Sequence, residues 1–119
     1  MNTQFNLETE MKFTNNADAN MTSLKGEVLI TYAELTEIFG PPDYGPNSAD
    51  LDKVTCEWCL QFEDGTIATI YDWRTWRTPV GEYEWHIGGY SMAAVDRVTD
   101  TIAMYRDQLV TMIREYQGA

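Results

Sequence analysis

His86 is the only histidine in the chain, and several carboxylates share its expected surface. Alternation along the predicted strands places Glu57, Asp72 and Glu84 on the same polar sheet face as this imidazole. A cluster of one histidine with aspartate and glutamate could perform acid–base chemistry or bind a divalent ion. No dense ligand motif accompanies it, so we favour a structural or partner-binding role over catalysis or metal binding.

Cys56 and Cys59 form a CxxC pair. Redox and zinc sites of this type need both sulfurs on one side of a tight turn or a helix start. Here the pair lies inside a predicted strand, where side chains three positions apart point to opposite faces. We therefore predict that these thiols bind no metal and no cofactor. Two reduced cysteines suit a cytosolic protein.

Two tryptophans and two arginines form a WRTWR run at Trp73, Arg74, Trp76 and Arg77. Trp and Arg are enriched in the binding hot spots of protein interfaces. The same side chains could stack on a nucleobase. The alternative is that one indole belongs to the core and the arginines only keep the sheet edge soluble. Tyr44, in a loop rich in Pro and Gly, is a further candidate contact.

Common enzyme motifs are missing, because the sequence contains no GxSxG, P-loop, GxGxxG or HExxH pattern. We therefore predict a protein without catalytic activity. The Gly88-Gly89 pair is interpreted as a strand-to-helix turn. The backbone amides of such a turn could also hold an anion, because they lie at a helix N-terminus.

An α+β fold must position these residues. Residues 1–22 are polar and Asn-rich and are interpreted as an N-terminal arm, and residues 23–119 are interpreted as one domain. Residues 25–30 are a strand candidate. Thr31 and Glu34 predict a helix start with a capping box, and Gly40 predicts its end. The roughly dozen residues of 41–52 form a candidate binding loop.

Asp64-Gly65 lies between two β-rich runs and predicts a β-hairpin. A two-residue turn fixes the cross-strand pairs, which are Glu63 with Thr66, Trp58 with Tyr71, Cys56 with Trp73, and Glu57 with Asp72. Like charges opposed across strands are unfavourable, so the last pair calls for a basic group, a proton, a metal or a partner residue. A third strand at 83–87 completes a meander of three to four strands.

The last part of the chain predicts one long helix with Ser91 as its N-cap. Its apolar residues follow heptad spacing over three repeats, at Val95, Val98, Ile102, Tyr105, Leu109, Met112 and Tyr116. This seam packs on the sheet of the same chain, or part of it pairs with a second copy in a homodimer. The expected fold is therefore an antiparallel β-meander with a short N-terminal helix and a long C-terminal helix on one face.

The net charge of −11 indicates which surfaces the protein can approach. So acidic a domain repels nucleic-acid phosphates and anionic membranes, and it attracts basic proteins. A requirement for solubility alone would also explain the composition. No apolar run approaches the ~20 residues of a transmembrane helix, and no signal peptide is visible. We expect a cytoplasmic protein with a basic protein partner and without direct DNA or membrane binding.

Three stretches of the sequence, LKGEVLITYAELTEIFGPPDYG, KVTCEWCLQFEDGTIATIYDWR and EYEWHIGG, resemble a family of small, largely uncharacterised phage and DNA-virus proteins. The shared pattern is a helix ending in FGxP, an EW strand, FxDGT, IYDW and WHIGG, and it covers residues 24–89. The resemblance implies a viral source and the cytoplasm of an infected host cell. It implies no catalytic residues, since the family has no established activity.

Three functions remain open. The first is a non-enzymatic inhibitor that binds a host or antiviral-defence protein through an acidic surface and mimics the charge of nucleic acid. The second is a binder, or sponge, of a nucleotide immune signal, which would use the WRTWR run, Tyr44 and the Gly88-Gly89 amides. The third is an acid–base or metal-dependent enzyme centred on His86, Asp72 and Glu57. We favour the first.

Overall fold

Five antiparallel strands and two helices make up the computed structural model, which describes residues 12–43 and 53–118. The elements in chain order are β1 (Phe13–Asn15), β2 (Ser23–Ile30), α1 (Tyr32–Phe39), β3 (Glu57–Phe62), β4 (Ile67–Tyr71), β5 (Tyr83–Gly89) and α2 (Ala93–Gly118). The strand order in the sheet is β1-β3-β4-β5-β2. The α+β class and the long C-terminal helix are confirmed, whereas the sheet has five strands rather than three or four. Neither described helix combines the length and apolar character needed to cross a membrane.

β1 lies within the segment that the sequence predicts as an N-terminal arm. It forms the edge of the sheet, with Phe13 opposite Phe62 of β3. The Phe13 ring contacts the rings of Phe39 and Phe62, at centroid distances of 5.2 and 6.1 Å. Asn15 donates from Nδ2 to the carbonyl of Phe39 at 3.1 Å. One aromatic side chain and one amide therefore attach this segment to the end of α1.

The β3–β4 hairpin closes with a three-residue loop, so the predicted register is wrong by one residue. Phe62 donates its amide to the Thr66 carbonyl at 2.8 Å, and Gly65 donates to the Phe62 carbonyl at 2.9 Å. Gly65 has φ of 92°, the left-handed conformation that such loops require at this position. An Asp-Gly dipeptide fits both loop lengths, and only the longer one places glycine at the left-handed bulge.

The one-residue shift moves the β4 side chains to the opposite face. Ala68 and Ile70 face the core, while Thr69 and Tyr71 lie on the face of the sheet away from the helices, here called the open face. The observed pairs are Glu57 with Tyr71, Trp58 with Ile70, Cys59 with Thr69, Leu60 with Ala68, and Gln61 with Ile67. The predicted pairs Glu63–Thr66, Trp58–Tyr71, Cys56–Trp73 and Glu57–Asp72 are therefore wrong.

α1 begins and ends where the sequence predicts. Thr31 accepts a hydrogen bond from the Glu34 amide at 3.1 Å, and Gly40 ends the helix with φ of 83°. The second half of the predicted capping box does not form, because the Glu34 carboxylate accepts two hydrogen bonds from Arg106 of α2, at 2.8 and 2.9 Å. In the core, the indole of Trp58 donates to the Gly40 carbonyl at 2.8 Å.

β5 extends through Gly88 and Gly89, so this pair is the end of a strand and not the strand-to-helix turn that the sequence predicts. Gly89 lies between Ala68 of β4 and Ser23 of β2. A Cβ atom on Gly89 would lie 2.4 Å from the Cβ of Ala94, so the absent side chain lets α2 start directly against the strand. Ser91 acts at the helix start, where its hydroxyl accepts the Ala93 amide at 3.2 Å.

Candidate functional site

Asp72 is a fully buried carboxylate that joins the residues before β3 to the WRTWR run. Its Oδ1 accepts the amides of Thr55 and Cys56, at 2.8 and 3.2 Å. Its Oδ2 accepts the hydroxyl of Thr55 at 2.6 Å and also that of Thr75. The Thr55 hydroxyl lies 2.7 Å from that of Thr78. One carboxylate thus ties the residues before β3 to the loop after β4.

The WRTWR loop, defined as Trp73–Arg77, projects from this anchor into solvent. Trp73 is 43% exposed and Trp76 is 71% exposed. The guanidinium of Arg74 lies over the Trp73 ring, 5.5 Å from its centroid. Arg74 and Trp76 both have positive φ, 54° and 65°, which is uncommon for residues with a side chain. Unfavourable backbone conformations of this kind concentrate at binding and catalytic sites.

Further backbone contacts fix the start of the loop. The Trp73 amide donates to the hydroxyl of Tyr83 at 3.2 Å. The Arg74 amide donates to the carbonyl of Lys53 at 2.6 Å. This contact brings the backbone of Lys53 beside Arg74, and Arg77 follows three positions later, so these three residues, here called the basic group, lie in one region of a chain with a net charge of −11. None of these three cations forms an ion pair with a described residue.

A row of polar side chains crosses the open face at right angles to the strands. Glu57 is opposite Tyr71, Tyr71 is opposite His86, and His86 is opposite Glu27. The rings of Tyr71 and His86 are stacked, with centroids 5.4 Å apart and planes at 22°. Nε2 of His86 lies 3.6 Å from Glu27, and its buried Nδ1 has no hydrogen-bond partner among the described residues. Glu84 lies exposed on the same face.

Burial changes the acidity of the groups at the β3 end of this row. The pKa of Glu57 is raised by burial and, to a smaller extent, by the nearby carboxylate of Asp43. The pKa of Tyr71 is raised by burial and by Glu57. Burial raises the pKa of Cys59 to about 12, with smaller contributions from Glu57 and Asp43. The pairing of β1 with β3 ends at Leu60, and the amide of the preceding residue, Cys59, donates to the carboxylate of Asp43 at 2.7 Å.

The two cysteines do not form a common site. Cys56 is buried in the core, while Cys59 is half-buried on the open face. Burial, followed by the charges of Asp72 and Glu57, raises the pKa of Cys56 to about 12. Both thiols are therefore protonated at neutral pH and are poor nucleophiles. In residues 12–43 and 53–118, no three His, Cys, Asp or Glu side chains are grouped to hold a metal ion.

The predicted site residues separate into two groups. Trp73, Arg74, Trp76 and Arg77 form the loop, and Glu57, Glu84 and His86 lie on the open face. The expected grouping of Asp72 with Glu57 and His86 does not occur, because the register shift places Tyr71 between the glutamate and the histidine. Tyr44 lies outside the described residues.

The sequence reasoning missed the residues that hold the loop. Thr55, Thr75 and Thr78 carry no motif of their own. The available signal was Asp72 followed three positions later by Thr75, a spacing at which a side chain often stabilises a turn. Thr55 could not be found in this way, because it reaches Asp72 only through the fold.

Comparison with known proteins gives no match among family models, curated proteins or solved structures. The function must therefore be inferred from the side chains and their geometry.

Proposed function

We propose that the protein binds and inhibits a host or antiviral-defence protein without catalysis, with the WRTWR loop as its anchor. One observation carries this proposal: two exposed tryptophans and two arginines stand on a loop that a buried carboxylate holds in place. Trp and Arg dominate the energetics of protein interfaces. Because the loop is already ordered, little conformational entropy is lost when a partner binds. The resemblance to phage proteins motivates the choice of partner.

Charge supports a two-part mode of binding. A net charge of −11 attracts a basic partner over distances of about the Debye length, and so raises the association rate. The loop itself is basic, through Arg74 and Arg77, and the backbone of Lys53 lies beside it. The partner should therefore be basic overall and should contain an apolar cleft that receives an indole, with carboxylates or carbonyls at its rim. In this binding mode the acidic surface mimics the charge of nucleic acid, and the WRTWR loop adds a specific contact.

The test is capture of host proteins on the immobilised chain at ~50 mM and ~500 mM salt, followed by kinetics with the captured protein. We expect high salt to slow association. Trp76→Ala should weaken binding at least ~10-fold, mainly through faster dissociation, because a hot-spot truncation costs about 2 kcal/mol or more. Met92→Ala is the matched control, since this exposed side chain follows the end of β5, whereas the loop contacts Tyr83 at the start of that strand.

Two outcomes contradict the proposal. The first is that nothing is retained specifically at low salt. The second is that Trp76→Ala and Arg77→Ala bind the captured protein as tightly as the unmodified chain does. In the second case a partner exists, but the open face of the sheet becomes the better candidate for its contact surface.

A nucleotide ligand is the second candidate, and the exposed indoles favour it. Trp73 and Trp76 each offer a ring for base stacking, worth about 1–3 kcal/mol per base. The Gly88-Gly89 amides would not contribute, because both residues are the last of β5 and are paired with β4 on one side and β2 on the other. Cyclic nucleotides and ADP-ribose derivatives should then raise the melting temperature of the chain and leave that of Trp76→Ala unchanged. If no compound shifts the temperature, this alternative fails.

A further inference from the structure

The apolar stripe of α2 is covered by the sheet over only its first half. Val98 and Ile102 are buried, and Tyr105 is half-buried. Beyond them, Met112 is 58% exposed and Tyr116 is 86% exposed. Leu109, Val110 and Ile113 are also exposed. These residues belong to the overhang, defined here as residues 108–118.

The exposed residues continue the buried face and do not form a separate one. Leu109, Met112 and Tyr116 keep the spacing of three and four that places Val98, Ile102 and Tyr105 against the core. An α-helix of 26 residues is about 39 Å long, so the last turns extend past the sheet that covers the first. The overhang therefore presents a heptad seam with nothing among the described residues packed on it.

Two properties of the overhang suit a second copy of the chain as the occupant of this seam: its heptad spacing, which a copy repeats, and its lack of net charge. Two copies that each carry −11 repel one another over most of their surfaces. The overhang is an exception, because its only charged residues are Arg114 and Glu115, which cancel. A neutral apolar seam with heptad spacing is the surface where two such acidic chains can meet at the lowest electrostatic cost.

Heptad geometry also indicates the orientation. Antiparallel pairing about an axis between Val110 and Thr111 places Leu109 opposite Met112 of the second copy. In heptad notation Leu109 is an a position and Met112 is a d position, and antiparallel coiled coils pair a residues of one helix with d residues of the other. Parallel pairing would instead place the two acidic sheets side by side.

We propose that the protein forms a weak antiparallel homodimer through the α2 overhang. Helix pairing over so short a segment buries on the order of 1,000 Å² in total, at the lower limit for specific interfaces. A dissociation constant in the micromolar range is therefore expected. The dimer does not depend on the proposed inhibitory function, and either can fail without the other.

The test is the mass of the full chain, 13.7 kDa as a monomer, by light scattering and sedimentation equilibrium over a range of concentrations. We expect a concentration-dependent dimer in the unmodified chain and a monomer in Met112→Glu. Thr111→Glu is the matched control, because it adds the same charge to the same turn but off the seam, and it should remain dimeric. Circular dichroism checks that both variants fold.

Salt separates this contact from partner binding. Higher salt screens the repulsion between two copies and should strengthen the dimer, whereas it should weaken binding to a basic partner. Tyr116→Cys tests the orientation, because antiparallel helices place the two sulfurs about 16 Å apart and prevent a disulfide.

Three results would overturn the proposal. The first is a chain that stays monomeric up to ~0.5 mM, a concentration far above a micromolar dissociation constant. The others are a Met112→Glu variant that is as dimeric as the unmodified chain, and rapid disulfide formation by Tyr116→Cys.

Discussion

Asp72 provides the sharpest test of how the WRTWR loop is held. Its carboxylate is buried and accepts hydrogen bonds from two backbone amides and two hydroxyls. We consider Asp72→Ala, which removes every acceptor, and Asp72→Asn, which keeps Oδ1 for the amides but replaces Oδ2 with a donor. The two variants separate the amide contacts from the hydroxyl contacts.

The expected magnitude follows from these contacts. In Asp72→Ala the amides of Thr55 and Cys56 lose their acceptor, and each unsatisfied buried amide costs about 1–3 kcal/mol. The hydroxyls of Thr55 and Thr75 lose less, since they can turn toward other acceptors or water. With partial relaxation we expect a loss of about 3–5 kcal/mol in the free energy of unfolding. For a domain of this size that lowers the melting temperature by about 10–20 °C.

Asp72→Asn should cost less, about 1–2 kcal/mol, because one acceptor oxygen remains for Thr55 and Cys56. Its effect should be concentrated in the loop. The amides of Trp73 and Arg74, which donate to Tyr83 and Lys53, should exchange with solvent faster than those of β3 and β4. Urea denaturation followed by circular dichroism gives the stability, and amide hydrogen exchange gives the local effect.

Asp107→Ala is the control, because this exposed aspartate on α2 makes no hydrogen bond or ion pair with a described residue. It should change stability by less than about 0.5 kcal/mol. The reasoning is refuted if Asp72→Ala loses less than about 1 kcal/mol, or if Asp72→Asn leaves loop exchange unchanged. Either result would mean that other contacts hold the loop.

Three further predictions concern other parts of the fold. Burial raises the folded-state pKa of Glu57, so folding disfavours the ionised carboxylate and the stability of the protein falls as the pH rises above about 4.5. Glu57→Gln should therefore raise the melting temperature at pH 7 and have little effect on it near pH 4. The Arg106 hydrogen bond lowers the folded-state pKa of Glu34, so the ion pair stabilises the fold above about pH 4.5 and this stabilisation is lost on acidification. In urea denaturation, Glu34→Gln should lower the free energy of unfolding by about 0.5–1 kcal/mol at pH 7 and should not change it near pH 2. Gly89→Ala should cost about 1–3 kcal/mol by the same assay, because its Cβ would lie 2.4 Å from an α2 side chain, whereas Gly81→Ala, which meets nothing within 4 Å, should be neutral.

Local chemistry in the sequence predicted the elements of the fold well. The N-cap at Thr31 and the glycine stop at Gly40 fix α1 through contacts within a few residues, and both were found. The position of the β3–β4 hairpin was equally clear from Asp64-Gly65. The register failed because two-residue and three-residue loops share this dipeptide, and their difference is decided by backbone hydrogen bonds around Gly65.

The sequence predicted which residues form the candidate site, but not the hydrogen bonds that hold them in place. The WRTWR residues stood out by type, which is a property of sequence. Their anchor joins Asp72 to Thr55, 17 positions apart, and no local pattern encodes that contact. The β1 strand was missed for a similar reason, since three residues give no periodic signal and Phe13 is held by packing on Phe39 and Phe62.

The register correction also changes which charges can meet a partner. The sequence predicts Asp72 on the polar sheet face opposite Glu57, whereas Asp72 is buried and supports the loop from within the fold. The basic group of Lys53, Arg74 and Arg77 then stands out against a chain of −11. A uniformly basic surface would attract the chain as a whole but repel this loop. A specific target must therefore combine basic surroundings with a local apolar cleft lined by acceptors, which separates it from basic proteins in general.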